Sequence, residues 1–434
     1  MFLTGRVPLL LLAGLVLLPV RPAASTALCW VVAVLVLVAA DLLLAARPAT
    51  LGVTRGPVGQ VRLGETSSTD LLATTTGARR VRGVLRDAWQ PSAGAQGNRH
   101  RLDLGPGEQA TLRTALVPTR RGDRRADRVT VRCVGPLGLG GRQGSRVVPG
   151  AVRVLPPFHS RRHLPSRLAR LRELDGRSAV RVRGQGTEFD SLREYVRGDD
   201  VRSVDWRASA RSRTTVVRTW QPERHRRVLL VLDTSRTSAG RVDDVPRLDS
   251  AMDAALLLAA LASRAGDSVD FLAGDRRVRA RVRAGGRADA LPQLVEAMAD
   301  LEPVITEADW PRLASAVVAL GRQPALVVLL TALEPSVVEH GLLPALPALA
   351  RRHRVVLASV RDPELERMTQ QTTGRTGSVS AAYDAAAAEQ VLGERTRMAD
   401  VLGVLGIDVV DATADRLPVA LTDHYLMLKS RGLL

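Results

Sequence analysis

Apolar positions along this chain fall into three regimes. "VPLLLLAGLVLLPV" (Val7 to Val20) and "STALCWVVAVLVLVAADLLLAA" (Ser25 to Ala46) are nearly continuous apolar runs. The second is long enough to cross ~30 Å of hydrocarbon, and the first is short for that task. From Leu51 to about Pro156 the pattern changes to short runs rich in Val, Thr and Leu, separated by Gly, Pro and Asp clusters. Examples are "VRGVLRDAW", "HRLDLGPGEQATLRTALVP" and "RVTVRCVGPLGL". That spacing predicts an antiparallel β sandwich of immunoglobulin-like size. "PTRRGDRR" (Pro118 to Arg125) reads as a hairpin-type turn between two strands. "GPLGLGGR" (Gly135 to Arg142) reads as a second turn, pinned to the core by Leu137 and Leu139.

The third regime alternates. "VLLVLD" (Val228 to Asp233) suits a strand buried on both faces. "RLDSAMDAALLLAALASRAGD" (Arg247 to Asp267) reads as a helix apolar almost all round, and "ALVVLLTAL" (Ala325 to Leu333) as another buried strand. Strand and helix patterns continue to the closing "LPVALTDHYLMLKSRG". Such alternation predicts a mostly parallel sheet flanked by helices, with ligands at the carboxyl ends of its strands. The expected class is α/β and β, in four parts. These are a membrane hairpin over residues 1–50, a β sandwich over 51–156, a connecting segment over 157–226, and a doubly wound α/β domain over 227–434.

Arg21-Pro22 separates the two apolar runs. Two readings stand: a helical hairpin, or a cleaved signal peptide followed by one span. Both put the remainder on the cytoplasmic side of the cell membrane, and Arg47 and Arg55 agree with that orientation. Asp41, near the inner end of the second run, is expected to reach the interface or to pair within the hairpin.

The formal net charge of +18 suggests an anionic partner. Composition changes that picture. Lys429 is the only lysine among 62 Lys and Arg, Ile305 and Ile407 are the only isoleucines, and Asn98 is the only asparagine. This skew is that of a GC-rich genome, which spreads arginine everywhere instead of making one stripe. The basicity is assigned mostly to that background, helped by a nearby anionic membrane face. Charge-driven binding of nucleic acid or anionic lipid is kept as an alternative. Two cysteines, Cys29 and Cys133, support neither a disulfide framework nor a thiolate metal site.

Candidate chemistry sits in "DTSRTS", Asp233 to Ser238. It gathers one carboxylate and two hydroxyls at a strand end, and Mg2+ prefers oxygen ligands. With this motif the half-chain resembles a von Willebrand factor A-like domain with a metal-ion-dependent adhesion site, and Asp233, Ser235 and Thr237 match its first loop. Two departures follow. "RAGGRADAL" has Arg287 after Gly285-Gly286, where the resemblance implies Thr. "VVLLTALEP" has Ala332, where it implies Asp, with Glu334 two positions on. At most a weakly bound Mg2+ is expected. The plain alternative is a strand–helix turn held by capping bonds. No residue is assigned as catalytic, and a metal-dependent hydrolase at the Asp233 end is the competing reading.

"GTEFDSLREYVRGDDVRSVDWRASAR" (Gly186 to Arg211) runs on through "VRTWQPERHRRVLLVLDTS". Phe189, Leu192, Tyr195 and Val196 are expected to form one buried face. Asp199, Asp200 and Asp205 would form an ion-pair lattice with Arg202, Arg207 and Arg211. Trp206 would wedge between that lattice and the sheet, and "TTVVRTW" would add an edge strand. Glu188, Arg193, Tyr195, Gly198, Asp199, Asp200, Arg202, Asp205, Trp206 and Arg211 are thus candidates for a domain clamp or a partner surface. This combination resembles domain of unknown function family 58 very closely, over nearly the whole chain, including "VPTRRGD", "GPLGLG" and "YLMLKSRG". The resemblance implies a membrane-anchored bacterial protein with a β domain and an A-like domain. It also implies action with a MoxR-type AAA+ ATPase in maturing or remodelling other proteins, as an adaptor and not as an enzyme.

Overall fold

The computed structural model describes residues 1–434 except 17–22, 180–187, 198, 213, 222–225, 284–289, 322 and 372–378; for 15, 175–179, 188–191, 219–221 and 371 it describes backbone only. The chain divides into two compact units, Met1–Leu155 and Pro156–Leu434.

The first unit opens with a short strand β1 (Phe2–Leu3) and helices α1 (Arg6–Ala13) and α2 (Ala24–Leu44). α2 is the described helix long and apolar enough to cross a membrane, with a mean hydropathy of 2.7 in its best window. Val7, Val34, Val38 and Leu139 are buried together beside it, with Leu10, Trp30 and Leu42 packed against them. The strands that follow are β2 (Leu51–Arg55), β3 (Val61–Arg62), β4 (Ser67–Thr75), β5 (Val81–Trp89), β6 (Ala95–Gln96), β7 (Arg99–Leu104), β8 (Gln109–Leu116), β9 (Gly122–Val134) and β10 (Gly140–Leu155). They form two sheets, β1-β10-β9-β5-β7 with β3 beside β10, and β2-β4-β8-β6. Period-two alternation builds the core between them. In β4, Thr69, Leu71, Ala73 and Thr75 are buried while Ser68, Leu72 and their outward neighbours are not. Leu71 and Ala73 meet Val81, Leu85, Val129 and Val131 from the facing sheet. Pro149 has no N–H for the ladder, and the β9–β10 register shifts between Val147 and Gly150.

Three expectations are corrected here. Residues 117–121 do not form a hairpin turn, because β8 and β9 belong to different sheets and the segment carries the chain across. The 135–139 turn does join a hairpin, β9–β10, but Leu137 is 48% exposed and Leu139 packs against the two helices instead of the sandwich core. Asp41 does not pair within the helices. It is fully buried, with Oδ1 accepting from Leu137 N (2.7 Å) and Oδ2 from Leu139 N (2.8 Å) and Gly140 N (2.9 Å). Three peptide donors of a tight turn are thus satisfied by one carboxylate, which is how a buried charge is made tolerable.

The second unit runs α3 (Leu164–Ala179), β11 (Glu188–Glu194), α4 (Trp206–Ser212), β12 (Val216–Gln221), β13 (Arg227–Asp233), β14 (Arg241–Val242), β15 (Val245–Pro246) and α5 (Arg247–Arg264). It continues with β16 (Ser268–Gly274), β17 (Val278–Val282), α6 (Ala290–Ala299), α7 (Trp310–Val318), β18 (Leu326–Leu330), α8 (Pro335–Val337) and α9 (Leu346–Ala350). β19 (Arg354–Arg361), α10 (Pro363–Gln371), α11 (Val379–Val404), β20 (Asp408–Thr413) and α12 (Leu417–Ser430) complete it. The main sheet has the order β17-β16-β13-β18-β19-β20. All neighbours are parallel except the edge strand β17, which is antiparallel to β16. Leu229, Val231, Val327, Leu329, Val355 and Leu357 pack on one face against α7, the 338–349 segment and α11. α5 lies on the other face, buried from Leu248 to Ala262, which explains its lack of a polar stripe. α12 is fastened beside it: Tyr425 Oη donates to Asp267 Oδ2 (2.5 Å), and Lys429 Nζ lies 3.0 Å from Asp267 Oδ1. The "TTVVRTW" strand, β12, does not extend the main sheet. It pairs with β11 in a separate two-stranded ribbon.

Candidate functional site

β13 is the first strand of the main sheet and lies at its centre. Its neighbours β16 and β18 lead the chain outward in opposite directions, so its carboxyl end is a switch point of the kind where α/β sheets bind ligands. Asp233 ends β13. The register pairs Leu232 with Leu330, which brings the residue that follows the neighbouring strand, Thr331, beside Asp233. The 234–238 turn is held by backbone bonds from Thr234 N to Gly274 O, Val304 N to Thr234 O and Arg236 N to Thr306 O.

Around the Asp233 carboxylate the donors converge. Ser235 N donates to Oδ1 (2.8 Å); Thr331 Oγ1 (2.6 Å) and Thr237 Oγ1 (3.3 Å) donate to Oδ2. Ser235 Oγ lies 3.3 Å from Thr237 Oγ1, and Ser238 Oγ donates to Asp233 O (2.6 Å). Asp233 is 1% exposed. Burial pushes its pKa above the usual carboxylate range, against the opposing pull of the Thr331, Ser235 and Thr237 bonds. Next to it, Thr234 Oγ1 donates to Asp275 Oδ2 (2.9 Å), and Asp275 pairs with Arg279. Burial would raise Asp275, but Arg279 and Thr234 outweigh that and hold it low.

The structure therefore brings Asp233, Ser235 and Thr237 together. The residues missed from sequence are Thr331, Ser238 and Arg247. Thr331 carried a legible signal, a polar residue closing an apolar run as Asp233 does. Arg247, at the start of α5, pairs with Glu334 at 2.6 Å. A cavity of about 20 Å³, lined by Thr237, Ser238, Arg247, Thr331 and Ala332 among others, lies beside the cluster and has room for one water.

These residues do not fit a tightly held Mg2+. The cluster has one carboxylate, both of its oxygens already accept hydrogen bonds, and burial favours its neutral form. Ala332 is buried and offers no side-chain oxygen, and Glu334 is engaged by Arg247. Arg287 lies outside the described residues. Among the described residues there is no group of three or more His, Cys, Asp or Glu able to hold a metal, and no histidine bonds to Asp233.

The charged signature segment is arranged differently from the expectation. Trp206 is 70% exposed and forms no wedge, and Leu192, Tyr195, Val196 and Val201 are exposed too. β11 and β12 make a two-stranded ribbon, which cannot cover both of its faces. Only Val216 and Val217 are buried on β12's described part. No lattice forms. Arg193 pairs with Asp199 (2.5 Å), and Asp205 pairs with Arg218 (2.7 Å), a partner the sequence reading did not choose. The Arg193 bond, with Val196 N, holds the Asp199 carboxyl below its ordinary value. The backbone N–H of Ala208 and the Arg218 guanidinium do the same for Asp205. Asp200 accepts from Arg202 N, and Asp205 caps α4 through Arg207 N and Ala208 N, so these acids shape turns. Arg211 is exposed on α4. Glu188 opens β11, its side chain outside what is described, and Gly198 lies outside the described residues.

Comparison with solved structures gives distant likenesses, of which three are described. The CARDB domain of a Pyrococcus furiosus protein shares 20% identity over 24% of this chain and 94% of that domain, with a TM-score of 0.19. A β-glucosidase from Listeria innocua shares 13% identity over 24% of this chain and 16% of the enzyme, with a TM-score of 0.15. Trypsin-activated α-2-macroglobulin from Escherichia coli shares 12% identity over 88% of this chain and 23% of that protein, with a TM-score of 0.21. These scores are too low to assign a fold. No curated protein matches. The family model described as "Protein of unknown function DUF58" matches residues 191–391, from the signature ribbon through the Asp233 cluster into α11, which is consistent with a DUF58 family protein.

Proposed function

We propose that the chain is a membrane-anchored adaptor. In this reading α1 and α2 form a membrane hairpin, the soluble units face the cytoplasm, and the β unit is an immunoglobulin-like spacer. The second unit is a von Willebrand factor A-like protein-binding domain. Its partner is a MoxR-type AAA+ ATPase that matures or remodels other proteins. The observation that carries the reading is the pair of features at the start of that unit. Asp233-x-Ser-x-Thr closes the central first strand of a doubly wound sheet without an acid–base pair beside it, and the ribbon before it exposes Trp206, Val196 and Val201. Exposed aromatic and aliphatic side chains rimmed by arginine and aspartate have the composition of a binding surface. Contact with the partner through this ribbon needs no cation.

The test is capture of the ATPase from detergent extracts by the tagged full chain. Retention in the presence of chelator is expected, and loss with Trp206→Asp. Capture that collapses on chelation would show that a cation bridges the two proteins and that the Asp233 cluster is the contact.

A further inference from the structure

One end of the β unit gathers the start of β2, the end of β4, the 135–139 turn and the last turn of α2. The final carbonyls of any helix lack helical partners and carry the negative end of its dipole. Here arginines from two separate segments, the β4–β5 connection and β10, take up carbonyls at and just past the end of α2. Arg79 donates to Leu43 O (2.5 Å), Arg142 to Leu42 O (3.1 Å) and Arg146 to Ala49 O (3.2 Å). Arg6 donates to Leu137 O (3.4 Å) from the start of α1. Each of these bonds uses one of the five donors a guanidinium has. Arg6, Arg79 and Arg146 are exposed and Arg142 is half-buried. Among the described residues no carboxylate pairs with any of the four.

The acids at this end are otherwise engaged. Both oxygens of Asp41 are taken by the 137–140 backbone, Asp103 is held by Arg80 and Arg82, and Glu108 accepts from Gly105 N. What remains outward is net positive, and Arg79 and Arg142 bond the last carbonyls of the apolar helix itself.

We propose that this arginine collar binds the phosphodiester groups of anionic phospholipids where α2 enters the bilayer. The inference rests on the reading of α2 as a membrane span. Capping of the helix end would account for one hydrogen bond per arginine, but not for three exposed guanidinium groups that, among the described residues, have no carboxylate partner. Anionic headgroups offer phosphate oxygens without a compensating ammonium. Each arginine in the headgroup layer should strengthen the attraction about fivefold. Asp41 adds preorganisation: by fixing the 137–140 turn it fixes the start of β10, and with it Arg142 and Arg146, before any lipid arrives.

The full chain is reconstituted in mixed phosphatidylcholine and phosphatidylglycerol membranes, and the lipids retained on it are counted by native mass spectrometry. Phosphatidylglycerol should be enriched over its share of the membrane. Substituting Arg79→Gln, Arg142→Gln and Arg146→Gln together should cut that enrichment at least about tenfold. The corresponding triple lysine variant should keep most of it, which separates loss of charge from loss of fold. Retention in proportion to the bulk membrane, or equal enrichment in the glutamine variant, would overturn the proposal. Flotation with vesicles after a carbonate wash reads the anchor separately. A chain released by carbonate yet still selecting phosphatidylglycerol vesicles would leave the collar standing and remove the span. A chain that floats with neither vesicle would end both readings.

Discussion

Asp233 is held between opposing effects, and pH separates them. Burial raises its folded pKa, so between the ordinary carboxylate range and that raised value the folded state binds more protons than the unfolded chain. Stability from this group must therefore fall as pH rises through that window. Asp233→Asn, which keeps the shape, should flatten the fall and melt above the parent at neutral pH. Thermal unfolding of both proteins between about pH 4 and 8 checks it. A variant less stable than the parent at neutral pH would mean that the carboxylate is ionised and compensated. Asp233, Ser235 and Thr237 were legible because a local motif places them four residues apart. Thr331 carried only the signal of a polar residue closing an apolar run; its place beside Asp233 was not legible, because the pairing of β13 with β18 puts it there, and a single sequence does not announce register.

At the scale of elements, the ribbon and the latch make the sharpest predictions. Trp206 follows its own cap residue Asp205 and projects into solvent, so Trp206→Ala should change stability by no more than about 0.5 kcal/mol. Chemical denaturation reads this, and a loss of several kcal/mol would mean that the ring is covered. Asp41→Leu should cost more. It leaves the N–H groups of Leu139 and Gly140 buried without an acceptor, at about 1–3 kcal/mol each. A lower melting point in detergent, with earlier proteolysis at the 135–142 turn, is the expected result; an unchanged turn would show that water or lipid replaces the carboxylate. Element types were readable wherever periodicity was strong, as in α5 and β13, whose uniform burial matches their uniform apolarity. The signature ribbon misled for a physical reason. Its apolar residues suit a buried face, but a two-stranded element has nothing to bury them against.

For the whole molecule, composition spoke in two voices. The arginine excess is spread through both units, as a genome-wide bias would spread it, yet the fold concentrates four arginines, without a carboxylate partner among the described residues, around the end of one helix and the turn beside it. No sequence window shows that cluster, because Arg6, Arg79, Arg142 and Arg146 come from distant segments. The parallel sheet was foreshadowed by the alternating pattern that begins at residue 227; the distribution of β8 and β9 between two sheets was not, since loop length alone does not tell a hairpin from a crossing. The lone lysine has a practical corollary. Lys429 is 13% exposed and ion-paired with Asp267 against Tyr425, so its amine is shielded while α12 stays docked. Amine-directed cross-linkers will find no open side chain here, and silence from such a reagent says nothing about whether a neighbour is bound. Mapping this protein's contacts calls for carboxylate- or arginine-directed chemistry. Acylation of Lys429 then serves another purpose, as a clock for the opening of the carboxyl-terminal helix.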